Sequence, residues 1–483
     1  METKSYTKSY DLPENTWDEM FKDSETVREA YKTVMDYLDL ESTEELNKKE
    51  ELSKVLFMSQ GITFTVYNSG EGIEKIFPFD IIPRIITSDE WCFIEKGIKQ
   101  RVTALNLFLK DVYSDQFIIK DGIVPIDVIY SCPHFLREMV NVKVPHDIYI
   151  HIAGIDLIRD NDGTYYILED NVRTPSGVSY MLENREITKR LFPDLLPQCK
   201  VRSVIEYPNV LYNNLLSLAP HDVADPTIVL LSPGSFNSAY FEHTTLARLM
   251  GIELVEGPDL IVEDHKVYMK TTAGLQQVDV IYRRVDDDYL DPLAFNPTSL
   301  LGVAGLMNAY RKGNVTIVNA VGNGVADDKA VYVYVPDMIK YYLNEEPLLK
   351  NVPTYQLGNA QERAYVFDNI SRMVVKQTNG SGGYGMLMGH ASTEEEIEAY
   401  KLEILKDPRQ FIAQPTISLS SAPCYMQGKL QPRRVDFRPF ALCGPNGIDI
   451  IPGGLTRVAL KEGSLVVNSS QGGGSKDTWV LSK

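Results

Sequence analysis

Several short stretches of this sequence combine residue types that handle phosphate or a hard cation. In the stretch 148–170, apolar residues alternate through Ile155 and Leu157 and the run breaks at Asp160-Asn161-Asp162-Gly163. Thr-Tyr-Tyr-Ile-Leu-Glu-Asp then follows. Asp-Gly between two alternating runs predicts a β-hairpin. Side chains two apart on a strand share a face, so Glu169 and Asn171 point the same way. Asp156, on the first strand, reaches the same patch if the strands pair across the turn. Two carboxylates and an amide oxygen form a hard-oxygen set suited to Mg2+ that already carries phosphates. The spacing alone more often marks a solvated polar hairpin face.

A second stretch runs Val374-Val375-Lys376 and then Asn379-Gly380-Ser381-Gly382-Gly383-Tyr384-Gly385. A strand ending in Lys before such a turn offers close backbone N–H groups to a polyphosphate; a plain glycine-rich hairpin tip fits equally. It is not a Walker A loop, because G-x-x-x-x-G-K-[ST] is absent. It is not a dinucleotide fingerprint either, because the glycine spacing differs and no helix-opening pattern follows. Asp327-Asp328-Lys329 opens a helical run, where an isolated Lys is usually solvated. Near the end stand Asp436-Phe437-Arg438, the stretch 453–457 and Asn468-Ser469-Ser470-Gln471-Gly472-Gly473-Gly474. Alternating strands bring Arg438 and Arg457 into a register where they stabilise phosphate or carboxylate charge, or form structural ion pairs.

The elements that must position these residues sit in an acidic globular chain. Lys+Arg 48 against Asp+Glu 66 gives a net charge of -18, with 44% hydrophobic and 24% charged residues among 483. Those proportions exclude wholesale disorder and a coiled-coil fibre. The negative field disfavours a nucleic-acid backbone or an anionic membrane, although a local Lys/Arg cluster can still take ATP. Cys92, Cys132, Cys199, Cys424 and Cys443 are scattered with no C-x-x-C pair, and the 7 His form no H-x-x-x-H pair. No disulfide framework or zinc site is expected, and a cytoplasmic setting is. The N-terminus has no apolar h-region, and no apolar run reaches the ~18 residues a membrane span needs. At about 150 residues per domain, the length suggests roughly three domains' worth of material.

Along the chain, residues 12–60 are expected as acidic amphipathic helices with Trp17, Met20, Phe21, Val27, Tyr31, Val34 and Leu38 on one face. The stretch 61–67 is expected as a strand and 90–113 as a long helix. From Pro226, Thr-Ile-Val-Leu-Leu-Ser, a helix through Leu249, 252–255 and 278–282 read as a βαβ layout over a parallel sheet. The loop 232–243 inside it is either an acceptor-carboxylate site or an ordinary strand-to-helix turn. Residues 322–422 mix helices with the 372–377 strand, and the last sixty residues return to antiparallel strands.

The order of these motifs is informative. From Thr227 the chain resembles an ATP-grasp ligase: Val-Asp-Val-Ile-Tyr-Arg-Arg (278–284), Ala-Asp-Asp-Lys (326–329) and Asn-Val-Pro-Thr-Tyr (351–355) come first. Val-Val-Lys (374–376), Phe-Ile-Ala-Gln-Pro (411–415), Asp-Phe-Arg (436–438) and Asn-x-x-x-Gly-Gly (468–473) follow. The Asp strand and E-x-N strand that should come next stand at the front instead, as Gly154-Ile155-Asp156 and Leu168-Glu169-Asp170-Asn171. With the stretch 171–185, Phe79-Asp-Ile-Ile-Pro-Arg84 and Gln100-Arg-Val-Thr-Ala-Leu-Asn106, the chain resembles the circularly permuted ATP-grasp type 2 family. That family is related to the synthetase part of glutathionylspermidine synthase.

The resemblance implies an α/β (α+β) fold: a permuted ATP-grasp core with a pre-ATP-grasp βαβ domain and a Gly-rich lid. The implied division is a helical region 1–60, the Mg-binding part of the core 61–225 and the βαβ domain 226–320, then a lid subdomain 321–425 and the remaining core strands 426–483. It implies ATP and two Mg2+ ions held by Asp156, Glu169 and Asn171. Lys329 and Lys376 become the phosphate lysines, and Gly380, Ser381, Gly382, Gly383 and Gly385 the cover of the γ-phosphate. The segment 412–414, with Gln414, becomes the adenine hinge. Arg438 and Arg457 neutralise the transferred phosphoryl group and the acyl phosphate, and Arg173 does the same or holds the acceptor carboxylate. The implied reaction joins a small-molecule or peptide carboxylate to an amine through an acyl phosphate, with no nucleic acid or membrane partner. A phosphotransferase or ATPase, or a non-catalytic nucleotide-binding module, would use the same phosphate machinery. Sequence gives no oligomeric state.

Overall fold

The computed structural model describes residues 10–68, 71–220, 223–380, 385–467 and 473–483. Its centre is the hairpin. Ile152–Arg159 is buried at every position, since Ile152, Ile155, Leu157 and Ile158 supply apolar side chains to both faces. It pairs antiparallel with Tyr165–Asn171 across a turn in which Gly163 takes φ +83°. A register shift between Asp156 and Leu157 leaves Asp156 directly opposite Glu169. Such a bulge re-aims side chains locally, and here it places both carboxylates at the same level.

The sheet continues from this hairpin into the far end of the sequence. The Asp156 strand pairs with Lys429–Arg438, where Phe437 faces Leu157, and with Phe440–Gly444, where Phe440 faces Gly154. Leu455–Val458 and Gly474–Val480 follow, and the latter runs parallel to Phe79–Ile86. On the other side Lys350–Asn351 adds to Tyr165–Asn171. One sheet of ten strands is therefore woven from the front and the back of the chain, as the motif order requires.

Two further sheets flank it. Ile228–Leu231, wholly buried, lies in a four-stranded parallel sheet with Glu253–Val255, Val280–Arg283 and Thr316–Val318. The helix Tyr240–Met250 makes the expected crossover between its first two strands in sequence. Tyr355–Gln356, Phe411–Pro415, Met373–Gln377 and Leu387–Met388 form an antiparallel sheet. Leu357, Val375, Leu387, Ile404 and Phe411 give that sheet a small core of its own. The long helix is Ser88–Val112, opened by a Thr87/Glu90 capping box and buried along Trp91, Ile94, Ile98, Val102, Leu105 and Leu109. Among the described residues, no helix is long and apolar enough to cross a membrane.

The N-terminal stretch departs from the helical expectation. Helices occupy Lys32–Leu40 and Thr43–Ser59, but Trp17, Met20, Phe21 and Val27 are not helical. Instead Phe21 bridges Val27, and Asp18 bridges Ser421. Asp18 Oδ1 accepts the N–H groups of Met20 and Phe21 at 2.9 and 2.8 Å, and Asp23 Oδ1 those of Glu25 and Thr26. These side-chain acceptors outcompete the helix ladder. The segment becomes a strap. Glu19, fully buried, accepts from Arg84 at 2.5 Å, from Arg159 at 2.8 Å and from Ser420 at 2.7 Å. Trp17 covers the hairpin tip so closely that a Cβ on Gly163 would lie 2.5 Å from its ring.

Burial alone would raise the Glu19 pKa, but the Arg84 and Arg159 guanidiniums outweigh it and hold the carboxyl charged. Glu19→Ala leaves two buried guanidiniums short of their partner. Urea denaturation should show a loss of about 3–5 kcal/mol, the usual penalty for breaking a buried pair. A loss below about 1 kcal/mol would mean that the strap does not brace the sheet.

Candidate active site

Asp156 is fully buried, and its charge is balanced from the neighbouring strands. Arg438 donates Nε and Nη2 to its two oxygens at 2.5 and 2.8 Å, and Arg457 donates Nη2 at 2.6 Å. Arg457 also pairs with Asp436, the residue opposite it in the strand register. Arg438 reaches across because position 154 is glycine: a Cβ there would sit 3.1 Å from Arg438 Cδ and 3.3 Å from Pro175 Cβ. Burial pushes the Asp156 carboxyl upward, but the guanidiniums of Arg438 and Arg457 win and hold it well below the usual range.

The lysines come from two other elements, a short helix and a strand of the antiparallel sheet. Asp328 caps the short helix Lys329–Tyr332 through Ala330 N–H, which sends Lys329 toward the hairpin. Its Nζ lies 3.7 Å from Glu169 Oε2 and donates to Gly380 O at 2.5 Å. Lys376 donates to Gln414 Oε1 at 2.9 Å, and Gln414 donates onward to Thr354 at 3.0 Å. Burial lowers the Lys376 pKa, Glu169 opposes that shift, and Lys329 adds to it. Lys329, Lys376, Gly380, Gln414, Glu169 and Arg457 line one cleft, whose remaining walls include Ile158, Leu168, Val352 and Met388. Ser381, Gly382 and Gly383 lie outside the described residues. Gly385 takes φ +67°, and its carbonyl accepts from Tyr400 at 2.6 Å; it does not line the cleft.

Asn171, Arg173 and Arg438 line a second cavity, which meets the first at Glu169 and Arg457. Its position depends on two residues whose roles the motif reading did not assign. Asp327 Oδ2 accepts the N–H groups of Val172 and Arg173 at 2.8 and 3.0 Å, and Oδ1 accepts Arg173 Nε at 3.2 Å. Asn319 accepts from His151 and Ile152 N–H at 2.8 Å and donates to Ile152 O and Val172 O at 2.7 Å, clipping the two hairpin strands together. The Asp-Asp-Lys run was a visible signal for Asp327; nothing local marks Asn319. Asp436 also borders the first cleft, and its i, i+2 spacing to Arg438 was legible. The loop 232–243 does border the second cavity through Asn237, Ser238 and His243. Ser232 Oγ and His243 Nδ1 are 2.9 Å apart, and burial with nearby Arg284 pushes His243 down to about 2.

The expected metal set therefore divides. Both Asp156 oxygens accept from guanidiniums, so Asp156 acts here as their counter-ion; a fully buried carboxylate requires one. Glu169 and Asn171 remain as oxygen-bearing groups not committed to guanidinium, and Asn171 Nδ2 is buried without a partner among the described residues. Among the described residues no cluster of three or more His, Cys, Asp or Glu is close enough to hold an ion. The donors that fit a divalent ion carrying phosphates are Glu169 and Asn171, with Asp156 opposite Glu169 on the neighbouring strand.

The family model for the circularly permuted ATP-grasp type 2 proteins matches residues 83–459. The chain belongs to that family. A Synechocystis sp. protein, uncharacterized, is 51% identical over 473 residues, covering 98% of both chains. A Mycobacterium tuberculosis relative, also uncharacterized, is 52% identical over 465 residues, covering 96% of this chain and 84% of its own. A Frankia alni protein provisionally named glutamate–cysteine ligase 2-3 is 40% identical over 465 residues. That match covers 96% of this chain but 54% of the Frankia protein. Among solved structures, a glutathione synthetase-like effector from Globodera pallida, in apo form, aligns with TM-score 0.60 at 11% identity. It covers 91% of this chain and 98% of its own, a likeness of fold.

In this ATP-grasp protein the Asp156 charge should be visible in stability. Its folded pKa lies below the ordinary 3.8, so its contribution is fully present above that pH and disappears as pH falls through the folded value. Asp156→Asn should cost about 3 kcal/mol at pH 7. The gap from the parent chain should narrow below pH 3.8. Urea midpoints at neutral and acid pH measure both; a gap that widens on acidification contradicts the assignment.

Proposed function

We propose that the chain is an ATP-dependent carboxylate–amine ligase that forms an amide or peptide bond through an acyl phosphate. The observation that carries this reading is the junction of two cavities at Glu169 and Arg457. One offers Lys329, Lys376 and apolar walls, which suit a nucleotide; the other offers arginines, which suit a carboxylate. ATP-grasp membership supports the same reaction class, as do the names of the Frankia relatives, although this chain spans about half the length of those proteins.

In this reading Lys376 and Lys329 hold the polyphosphate from opposite sides, and Gln414 orients Lys376 while its strand borders the base. Gly380, whose carbonyl accepts from Lys329, borders the γ-phosphate, where exclusion of water would protect the acyl phosphate. Bound Mg2+, held by Glu169 and Asn171, would neutralise phosphate charge. A substrate carboxylate oxygen attacks the γ-phosphorus and ADP leaves. The amine nitrogen then adds to the acyl carbon, phosphate departs and the nitrogen loses a proton. Arg438 and Arg457, fixed by Asp156, meet the negative charge that develops on phosphoryl and acyl oxygens. Fixed donors of this kind contribute about 3–4 kcal/mol each in acyl-transfer sites. No protein nucleophile is required, and positioning supplies much of the remainder. A cytoplasmic setting belongs to the same proposal.

The test is ADP release from pooled carboxylates and amines, with mass spectrometry for products one water lighter than the sum of their parts. Glu169→Gln should lower Mg-dependent turnover at least about 100-fold. Lys376→Met should raise the KM for ATP about tenfold or more, the loss of one charge-assisted contact. Turnover that needs no amine and gives a phosphorylated product would replace ligation with phosphotransfer. Unchanged turnover in Glu169→Gln would remove the metal assignment.

A further inference from the structure

The second cavity is built to hold more than the reacting end of an acid. Its lining is rich in fixed donors. Arg284 is 6% exposed; its terminal nitrogens donate to Pro175 O at 2.6 Å and Glu242 at 3.1 Å, while its Nε has no partner among the described residues. Asn171 Nδ2 is buried and equally unpartnered. A buried donor without an acceptor costs about 1–3 kcal/mol, and both residues border this cavity. The arginines also form two separate anchors. Arg438 and Arg457 are tied to Asp156, whereas Arg173 is tied to Asp327 at 3.2 Å and stands 4.0 Å from Asp286.

The acids on the wall are unequal. Asp327 is occupied by two backbone N–H groups and Arg173 Nε. Asp286 is not: its side chain is 51% exposed, and although it stands at the N-cap of the helix Asp287–Leu290, it makes no capping bond. An uncommitted carboxylate beside an arginine matches a neighbouring ammonium and carboxylate on one carbon, the head group of an amino acid. A ligase must then find a further carboxylate to activate at Arg438 and Arg457.

Resting on the ligase reading above, we propose that this cavity selects an acidic amino acid. Arg173 holds its α-carboxylate, Asp286 its α-ammonium, and Arg438 with Arg457 the side-chain carboxylate to be phosphorylated. Arg284 and Asn171 also line the cavity. The stacked pair Phe77–Tyr180, with ring centroids 4.1 Å apart, walls the same cavity and limits its width.

Calorimetric titration of the full chain, with Mg2+ and a non-hydrolysable ATP analogue present, tests this. The probes are L-glutamate, L-aspartate, L-glutamine and glutarate. At least one of the two acidic amino acids should bind, with L-glutamine at least about tenfold weaker than L-glutamate for want of the second carboxylate. Arg173→Ala should weaken the acidic amino acid about tenfold or more. Asp286→Asn should weaken L-glutamate but leave glutarate, which has no ammonium, within about twofold; a purely structural loss would weaken both. Since Asp286 is half-exposed, that variant keeps the test decisive should Arg173→Ala fail to fold. L-glutamine binding as well as L-glutamate, neither acidic amino acid binding, or Asp286→Asn affecting both probes alike would overturn the proposal. Failure of the ATP analogue to bind the parent chain would instead sink the ligase reading. Analogue binding without this amino-acid selectivity sinks only the cavity assignment.

Discussion

The arrangement turns on one fully buried carboxylate shared by two arginines from the other end of the chain. Dehydrating Asp156 costs several kcal/mol, and only the charge and geometry of Arg438 and Arg457 offset it. Because neither partner can leave without stranding the others, the two guanidiniums are fixed before any substrate arrives. Fixed positive charge at a reacting centre avoids reorganisation at the moment of reaction. The site thus draws its preorganisation from an interaction that adds little net stability over an apolar replacement, although removing one partner from it is costly.

Everything around the triad serves to keep the hairpin in place. Arg101, from the long helix, grips Asp170 through two bonds at 2.6 and 2.7 Å, one residue from Glu169. Glu19 binds Arg159, at the end of the Asp156 strand, and Arg84, which also donates to Asp436 O. Asp327 and Asn319 hold the chain just past Asn171. Each of these is a buried, directional contact between segments far apart in sequence. Loss of any one should therefore tilt the hairpin and disturb the chemistry as well as the fold.

The hairpin was readable in the sequence because its information is local: period-two alternation and an Asp-Gly turn. The parallel strand Ile228–Leu231 and its helix were readable for the same reason. Convergence of Lys329, Lys376 and Glu169 was implied only through motif order, since no local pattern shows that a helix and two sheets meet there. Arg438 and Arg457 were expected at phosphate or in ion pairs; only burial of Asp156 shows that they are ion-paired first. The strap was misread because Trp17, Met20, Phe21 and Val27 do fall at helical spacing, while the Asp18 and Asp23 side chains capture the backbone donors a helix needs. A hydrophobic period records which residues are buried and leaves open which hydrogen bonds the backbone will choose.

The parallel pairing of Gly474–Val480 with Phe79–Ile86 has a consequence for how the molecule is made. Ser475 lies opposite Phe79, so the central sheet joins strands that leave the ribosome far apart in time. The Asp156 strand must wait, with apolar faces unpaired, until Lys429–Arg438 has left the ribosome. At about 5–20 residues per second that wait lasts tens of seconds. Loop-closure entropy adds little over such a separation, because it grows only logarithmically with length. The greater burden is exposure: an unsatisfied strand edge is a template for aggregation throughout the interval. A permuted gene order thus transfers part of the difficulty of building this site from energetics to timing.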